Sequence, residues 1–228
     1  MFNLIGSGLI NSRKKQQSST IPDNVLLFLR GTDSVTLDSS NVSKTIAVEQ
    51  GTPAISSTQF KFSEYGTSLY IPSGAALSVP ISELNLTTDF TVWTMEAWIY
   101  TVTDSGVSGG LIFGTYNQAN NQSSRYLFTT KRYPTDATLA TYSMPIGQWN
   151  YWKSVRNGNN YKLIVNGSLI TERSFTAATS IDKKNWIGRS VGDNNIDSWR
   201  LDAYLQDFII TGNVADDSLV IPTSPKYL

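Results

Sequence analysis

Apolar and polar residues alternate with a period of two through much of the chain. The clearest stretch is Gly147 to Thr171, GQWNYWKSVRNGNNYKLIVNGSLIT. Trp149 to Arg156 reads as one strand and Tyr161 to Val165 as the next, with Tyr161, Leu163 and Val165 on one face and Lys162 and Ile164 on the other. Asn157-Gly158-Asn159-Asn160 is the reversal between them, because Asn and Gly tolerate the left-handed backbone of a tight turn. Asn166-Gly167 predicts a two-residue type I′ hairpin, with a third strand starting at Ser168. Such a meander has one face to bury and requires a second sheet.

The rest of the chain supplies strands. Asn24 to Arg30 (NVLLFLR) is a short apolar run, as in a strand buried on both faces. Thr45 to Glu49, Phe60 to Phe62 and Thr67 to Ile71 follow. Ser78 to Pro80 carries a proline, which places it at an edge or a strand end. Phe90 to Tyr100 (FTVWTMEAWIY) has large apolar groups in both rows and reads as a central strand. Gly109 to Thr115, Tyr126 to Thr130, Ala137 to Tyr142 and Lys184 to Arg189 are further strands. Trp199 to Thr211 is the last, bent near its middle. No segment sustains a helical period with caps. The pattern predicts an all-β fold, a two-sheet antiparallel sandwich or jelly roll. Residues 22–228 read as one domain, preceded by an extended N-terminal arm or tail over residues 1–21.

In the arm, a glycine-broken apolar run of about ten residues precedes Arg13, Lys14 and Lys15. A signal peptide has its charges first, and a membrane span needs about 20 apolar residues. The expectation is neither a leader nor a span. One reading is a tail without fixed structure. The other is a partner-docking arm in which Phe2, Leu4, Ile5, Leu9 and Ile10 insert into a neighbouring protein.

Composition narrows the chemistry. Of 228 residues, 40% are hydrophobic and 11% aromatic, enough for a core. Lys plus Arg and Asp plus Glu are balanced at 18 each, which disfavours nucleic acid as a partner. Basic side chains are scattered outside the arm and Lys183-Lys184, so membrane-surface binding is not expected either. There is no Cys and no His. That removes disulfides, thiol chemistry, the histidine-based triads and the commonest zinc ligand.

An ordered set of motifs over residues 24–225 resembles the LamG-like (concanavalin A-like lectin/glucanase) jelly-roll family, in the version found in phage structural proteins. The set runs Val25-Leu26-Leu27-Phe28, Gly31-Thr32, Asp38-Ser39-Ser40, Gln59-Phe60-Lys61-Phe62 and Gly66-Thr67-Ser68-Leu69-Tyr70-Ile71. It continues with Asp89-Phe90-Thr91, Glu96-Ala97-Trp98-Ile99, Trp149, Val155-Arg156, Leu163-Ile164-Val165-Asn166-Gly167, Ile187-Gly188 and Tyr204 to Thr211. The family often has His after the meander Trp, where this chain has Asn150 and Tyr151. Ile209 stands for an Arg of the last strand, and Ala215-Asp216-Asp217 for an Ala-Arg-Tyr. The resemblance implies a virion-surface structural or decoration protein (head, fibre or tail) whose partners are other virion proteins. The alternative is a glycan-binding adhesin that meets cell-surface glycans. The homo-oligomeric state stays open.

Site chemistry follows from residue types. Glucanases of this superfamily carry a Glu-x-Asp-x-(x)-Glu run, which sets two carboxyls about 5–5.5 Å apart in a retaining enzyme. None of Glu49, Glu64, Glu83, Glu96 and Glu172 sits in such a run, so no enzyme and no catalytic residue is expected. No cofactor is expected beyond calcium, which laminin G-like domains often hold at one rim. Asp193, Asn195 and Asp197 form the best cluster of hard oxygen ligands, with a solvated loop as the alternative. For glycans, an exposed ring stacks on a sugar while Asn and Asp take its hydroxyls. Tyr116 and Asn117, Tyr133, and Asp193, Asn194 and Asn195 with Trp199 are the candidates. The competing reading of Trp199 is core or rim packing. Trp93, Trp98, Trp149, Trp152 and Trp186 lie inside strands and read as core.

Overall fold

The computed structural model describes residues 20–86, 88–104, 109–115, 126–133, 140–174, 184–189 and 199–227. Fifteen strands follow one another there. They are β1 (Val25–Leu29), β2 (Ala47–Gln50), β3 (Ala54–Ser56), β4 (Ser68–Ile71), β5 (Ala76–Pro80), β6 (Val92–Thr101), β7 (Leu111–Thr115), β8 (Tyr126–Thr129) and β9 (Arg132–Tyr133), then β10 (Ala140–Thr141), β11 (Trp149–Asn157), β12 (Asn160–Val165), β13 (Ser168–Ser174), β14 (Lys184–Gly188) and β15 (Ala203–Gly212). No α-helix occurs among the described residues, and so none long and apolar enough to cross a membrane.

An eight-stranded sheet runs β13-β12-β11-β6-β15-β4-β3, with β1 added to β15. A five-stranded sheet runs β2-β5-β14-β7-β8, and β9 and β10 form a separate ribbon. Every pair is antiparallel. The meander is β11-β12-β13. Tyr161, Leu163 and Val165 point into the core, and Asn166 and Gly167 take φ of 49° and 74°, as a type I′ turn requires. β6 is central, between β11 and β15.

The core lies between the sheets. Trp93, Met95, Ala97 and Ile99 of β6 and Trp152 of β11 meet Leu77, Val79, Phe113, Phe128 and Ile187 of the smaller sheet. Phe128 bridges the two layers edge-on, 5.8 Å from Trp93 and 5.9 Å from Trp152 between ring centres. Such pairs add about 0.5–1.5 kcal/mol each beyond area burial. β15 is bent, as its sequence predicts. Its pairing with β6 shifts between Gln206 and Ile209, where Asp207 takes φ 49°.

Two expectations are corrected, those for Phe60 to Phe62 and for Trp149. Phe60 to Phe62 is not a strand, because Gln206 Oε1 accepts the Lys61 and Phe62 N–H groups at 2.8 and 3.0 Å in place of a strand neighbour. The proline of Ser78 to Pro80 stands at a strand end, one of its two expected places, in a strand that lies inside its sheet between β2 and β14. Trp149 is only half-buried, since it belongs to the row of β11 that faces away from the core.

Candidate functional site

The outer face of the eight-stranded sheet carries the described polar and aromatic clusters, in three tiers. The first lies under the C-terminal segment, residues 213–227, which returns across the sheet. Thr94 Oγ1 donates to the Val214 carbonyl and accepts the Asp216 N–H, both at 2.9 Å. Lys153 is 1% exposed. Its ammonium meets Asp216 Oδ2 at 3.0 Å, the Ser218 carbonyl at 2.9 Å and Ser218 Oγ at 3.2 Å. All three of its donors are thereby used, which is what makes burial of the charge tolerable. Glu96, 2% exposed, accepts the Tyr151 hydroxyl on one carboxylate oxygen and the Lys226 ammonium on the other. Burial pulls the Lys226 pKa down, but the Glu96 charge and hydrogen bond outweigh it, and the net shift is upward. Burial first and Glu96 second push the Tyr151 phenol far up, so it stays a donor.

Asp207 lies in the same tier. Its Oδ2 accepts the Lys226 N–H at 3.0 Å. The Tyr65 hydroxyl stands 2.9 Å from both Asp207 Oδ1 and the Tyr227 carbonyl. Burial chiefly, and the Glu96 charge further, push the Asp207 carboxyl up to about 6, against the hydrogen bonds from Lys226 and Tyr65.

Residues 59–67 roof the second tier. Gln206 holds them through its two bonds to the backbone N–H groups of Lys61 and Phe62 and a third, from Nε2 to the Thr67 carbonyl, at 2.6 Å. Phe62 meets Trp98 edge-on at 6.0 Å, and Lys61 Nζ stands 4.0 Å over the Trp98 ring.

The third tier is a row of rings, Tyr70, Tyr204, Tyr100 and Trp149. Tyr204 is the cross-strand partner of both Tyr70 and Tyr100, and Tyr100 is the partner of Trp149. Asp202 accepts the Tyr70 and Thr103 hydroxyls, each at 3.0 Å. Burial first and Asp202 second push the Tyr70 phenol up to about 12.

Most residues singled out from the sequence are not among those described. Tyr116, Asn117, Asp193, Asn194, Asn195 and Asp197 fall outside the described residues, as do Phe2, Leu4, Ile5, Leu9 and Ile10. Tyr133 lies in β9, paired through its backbone with Ala140. Trp199 is 8% exposed and packs with Ala76, Leu111 and Trp186, so its ring is a packing surface and not an open platform. Among the described residues no three acidic side chains gather as metal ligands. Glu96 is held by side chains of the neighbouring strand and of the C-terminal segment, in accord with a structural role for it.

Comparison with known proteins places the fold. Domain 4 of AbnA, a GH43 extracellular arabinanase from Geobacillus stearothermophilus, solved with arabinotriose, superposes with TM-score 0.59 at 12% identity. The match covers 83% of this chain and 92% of that one. The binding domain of botulinum neurotoxin DC matches with TM-score 0.55 and 17% identity in its complex with SialylT, covering 86% of this chain and 49% of that one. In its complex with rat synaptotagmin II it matches with TM-score 0.58 and 16% identity, covering 87% and 50%. This chain therefore spans about half the length of the toxin domains. At such identities the likeness is one of fold. No curated protein matches the sequence. A family model described as the concanavalin A-like lectin/glucanases superfamily (Laminin_G_3) matches residues 72–216, well over half of the chain, and this protein, with its two antiparallel sheets and jelly-roll sandwich, belongs to that family.

Proposed function

We propose that this chain is a non-enzymatic structural or decoration protein of a phage virion, displaying a lectin-like jelly roll at the particle surface. The observation that carries the non-enzymatic part is the closure of Glu96. It is the one glutamate in the middle of the central strand, and Tyr151 and Lys226 occupy its two oxygens beneath the C-terminal segment. A glycosidase needs two carboxyls that reach the scissile bond, whereas the same-face neighbours of Glu96 along β6 are Thr94 and Trp98. The virion part is supported by the ordered motifs over residues 24–225. Attachment is assigned to residues 1–21, through Phe2, Leu4, Ile5, Leu9 and Ile10. Purified particles should contain the chain at fixed copy number. A chain lacking residues 1–20 should melt at the same temperature yet stay off the particle. Absence from particles, or normal incorporation of the shortened chain, would overturn the reading. So would polysaccharide hydrolysis that disappears in Glu96→Gln.

A second reading is a glycan-binding adhesin that contacts the host cell surface, and both roles suit one appendage. The third tier, with its half-open rings, favours it. The ligands of two structural neighbours, arabinotriose and SialylT, point the same way. The loop residues Tyr116, Asn117, Asp193, Asn194 and Asn195 are the sugar contacts of this reading, and Asp193, Asn195 and Asp197 its calcium ligands. A glycan array with and without chelator tests both. Binding to no glycan removes the adhesin, and indifference to chelator removes the ion.

A further inference from the structure

Tyr70, Tyr204, Tyr100 and Trp149 come from four adjacent strands, β4, β15, β6 and β11, and stand in a single line across the sheet. Tyr70 and Tyr204 stack at 4.6 Å. Tyr204 and Tyr100 meet edge-on at 6.0 Å, and Tyr100 and Trp149 at 5.8 Å. Cross-strand aromatic pairs stabilise sheets, and that accounts for part of the row. It does not account for the exposure. The other two tiers of this face are roofed by chain, whereas Tyr70, Tyr100 and Trp149 are only half-buried, with Tyr204 wedged between the tyrosines. Five of the six tryptophans are buried, and Trp149 alone is not.

The polar atoms of the row indicate what it meets. The Tyr100 and Tyr204 hydroxyls and the Trp149 indole N–H have no partner among the described residues, and they are not sealed from water. A dry protein partner would bury these three groups unpaired, at about 1–3 kcal/mol each. A polyhydroxylated ligand pairs them while its apolar faces lie on the rings. The row itself carries no formal charge, and both oxygens of the nearby Asp202 are engaged by Tyr70 and Thr103. Four strands at about 4.8 Å spacing make a track of roughly 15 Å, longer than one sugar ring.

We infer that this row is a calcium-independent binding track for a neutral oligosaccharide of several units, lying across the strands on the sheet face and not in the rim loops. The inference rests on the glycan-binding reading. It replaces the loop residues by Tyr70, Tyr204, Tyr100 and Trp149.

The test uses the full chain with maltohexaose, cellohexaose and α-1,5-arabinohexaose as probes. At least one hexaose is expected to bind, equally well with chelator present and far better than its monosaccharide. It should protect Trp149 from N-bromosuccinimide oxidation, read residue by residue by peptide mass spectrometry on the unaltered protein. Trp149→Ala and Tyr100→Ala should each weaken binding about tenfold or more. Tyr100→Phe and Tyr204→Phe, which keep the rings and the fold, should weaken it several-fold through the lost hydroxyls. If a hexaose binds while Trp149 oxidises at its usual rate, and Asn194→Ala or Asn195→Ala abolishes binding, the sheet-face site is overturned and the glycan reading stands. If none of the three hexaoses binds at millimolar concentration, the glycan reading falls and the inference with it.

Discussion

Glu96 and Lys153 are direct cross-strand partners on β6 and β11, yet they do not pair with each other. Each turns to the C-terminal segment, Lys153 to Asp216 and Glu96 to Lys226. The segment is thus fastened to the sheet by two ion pairs of opposite polarity, whose sheet-side members are buried. Removing one partner of a fully buried pair costs about 3–5 kcal/mol. The Lys226 side chain is 33% exposed, so water softens the loss. Lys226→Met is expected to lower stability by about 2 kcal/mol, read as a fall in the urea midpoint at unchanged slope. Adding Glu96→Gln, which removes the orphaned charge, should recover much of it. A single variant as stable as the parent would show that the pair carries no net stability.

Mild acid should stabilise the protein. The folded Asp207 carboxyl titrates at about 6, above its ordinary value of 3.8, because burial penalises its charged form. The native state therefore holds a proton that the unfolded chain lacks between about pH 4 and 6, and stability falls as pH rises through that window. Asp216 and Glu49 act oppositely. Burial raises Asp216, but Ser218 and Lys153 win, and Lys184 and Ser78 hold Glu49 down, so both carboxyls lie below their usual range. Their contribution is present above the ordinary carboxylate range and is lost only at lower pH. The melting temperature should peak near pH 4, at the acid end of that window. Asp207→Asn, which suits the left-handed backbone there, should flatten the profile between about pH 4 and 6. A variant profile parallel to the parent's would assign the titration elsewhere.

Asn150, next to Trp149 at the start of β11, is fully buried. Its Nδ2 donates to the Pro145 and Gln148 carbonyls at 2.8 and 3.0 Å. Its Oδ1 accepts Asn166 Nδ2 at 3.0 Å. Asn166 in turn accepts the Tyr151 N–H, at 2.9 Å. The amide therefore ties the start of β11 to the β12–β13 hairpin. Asn150→Ala removes the three hydrogen bonds of this buried amide and is expected to cost about 2 kcal/mol by calorimetry. An unchanged melting temperature would mean that water replaces the amide without loss.

The fold was legible where the information is local. The meander follows from a period of two and from Asn-Gly turn chemistry within 25 residues. The outer face was not legible. In β11 both rows carry large rings, Trp149 and Tyr151 in one and Trp152 in the other, so parity alone does not say which faces the core. Phe60 to Phe62 alternates like a strand but is held by the Gln206 side chain, from 144 residues away in the case of Phe62. The aromatic row requires the register of four strands, and the closure of Glu96 requires a lysine at the far end of the chain. Neither leaves a periodic trace.

Two glycines of the meander share a backbone conformation and differ in surroundings. Gly158 has φ 61°, and a Cβ there would meet nothing within 4 Å. Gly167 has φ 74°, and a Cβ would stand 2.9 Å from the Leu219 carbonyl oxygen and 3.3 Å from the Ile221 side chain. Gly158→Ala should therefore cost only the left-handed strain, about 1 kcal/mol. Gly167→Ala adds a clash with the C-terminal segment and should cost roughly 2–3 kcal/mol. The difference is a property of that segment. In a chain ending after Val214 the two substitutions should become equal in the urea midpoint shift each produces. If they still differ there, the crowding at Gly167 arises within the hairpin, and the C-terminal segment does not press on the β12–β13 turn.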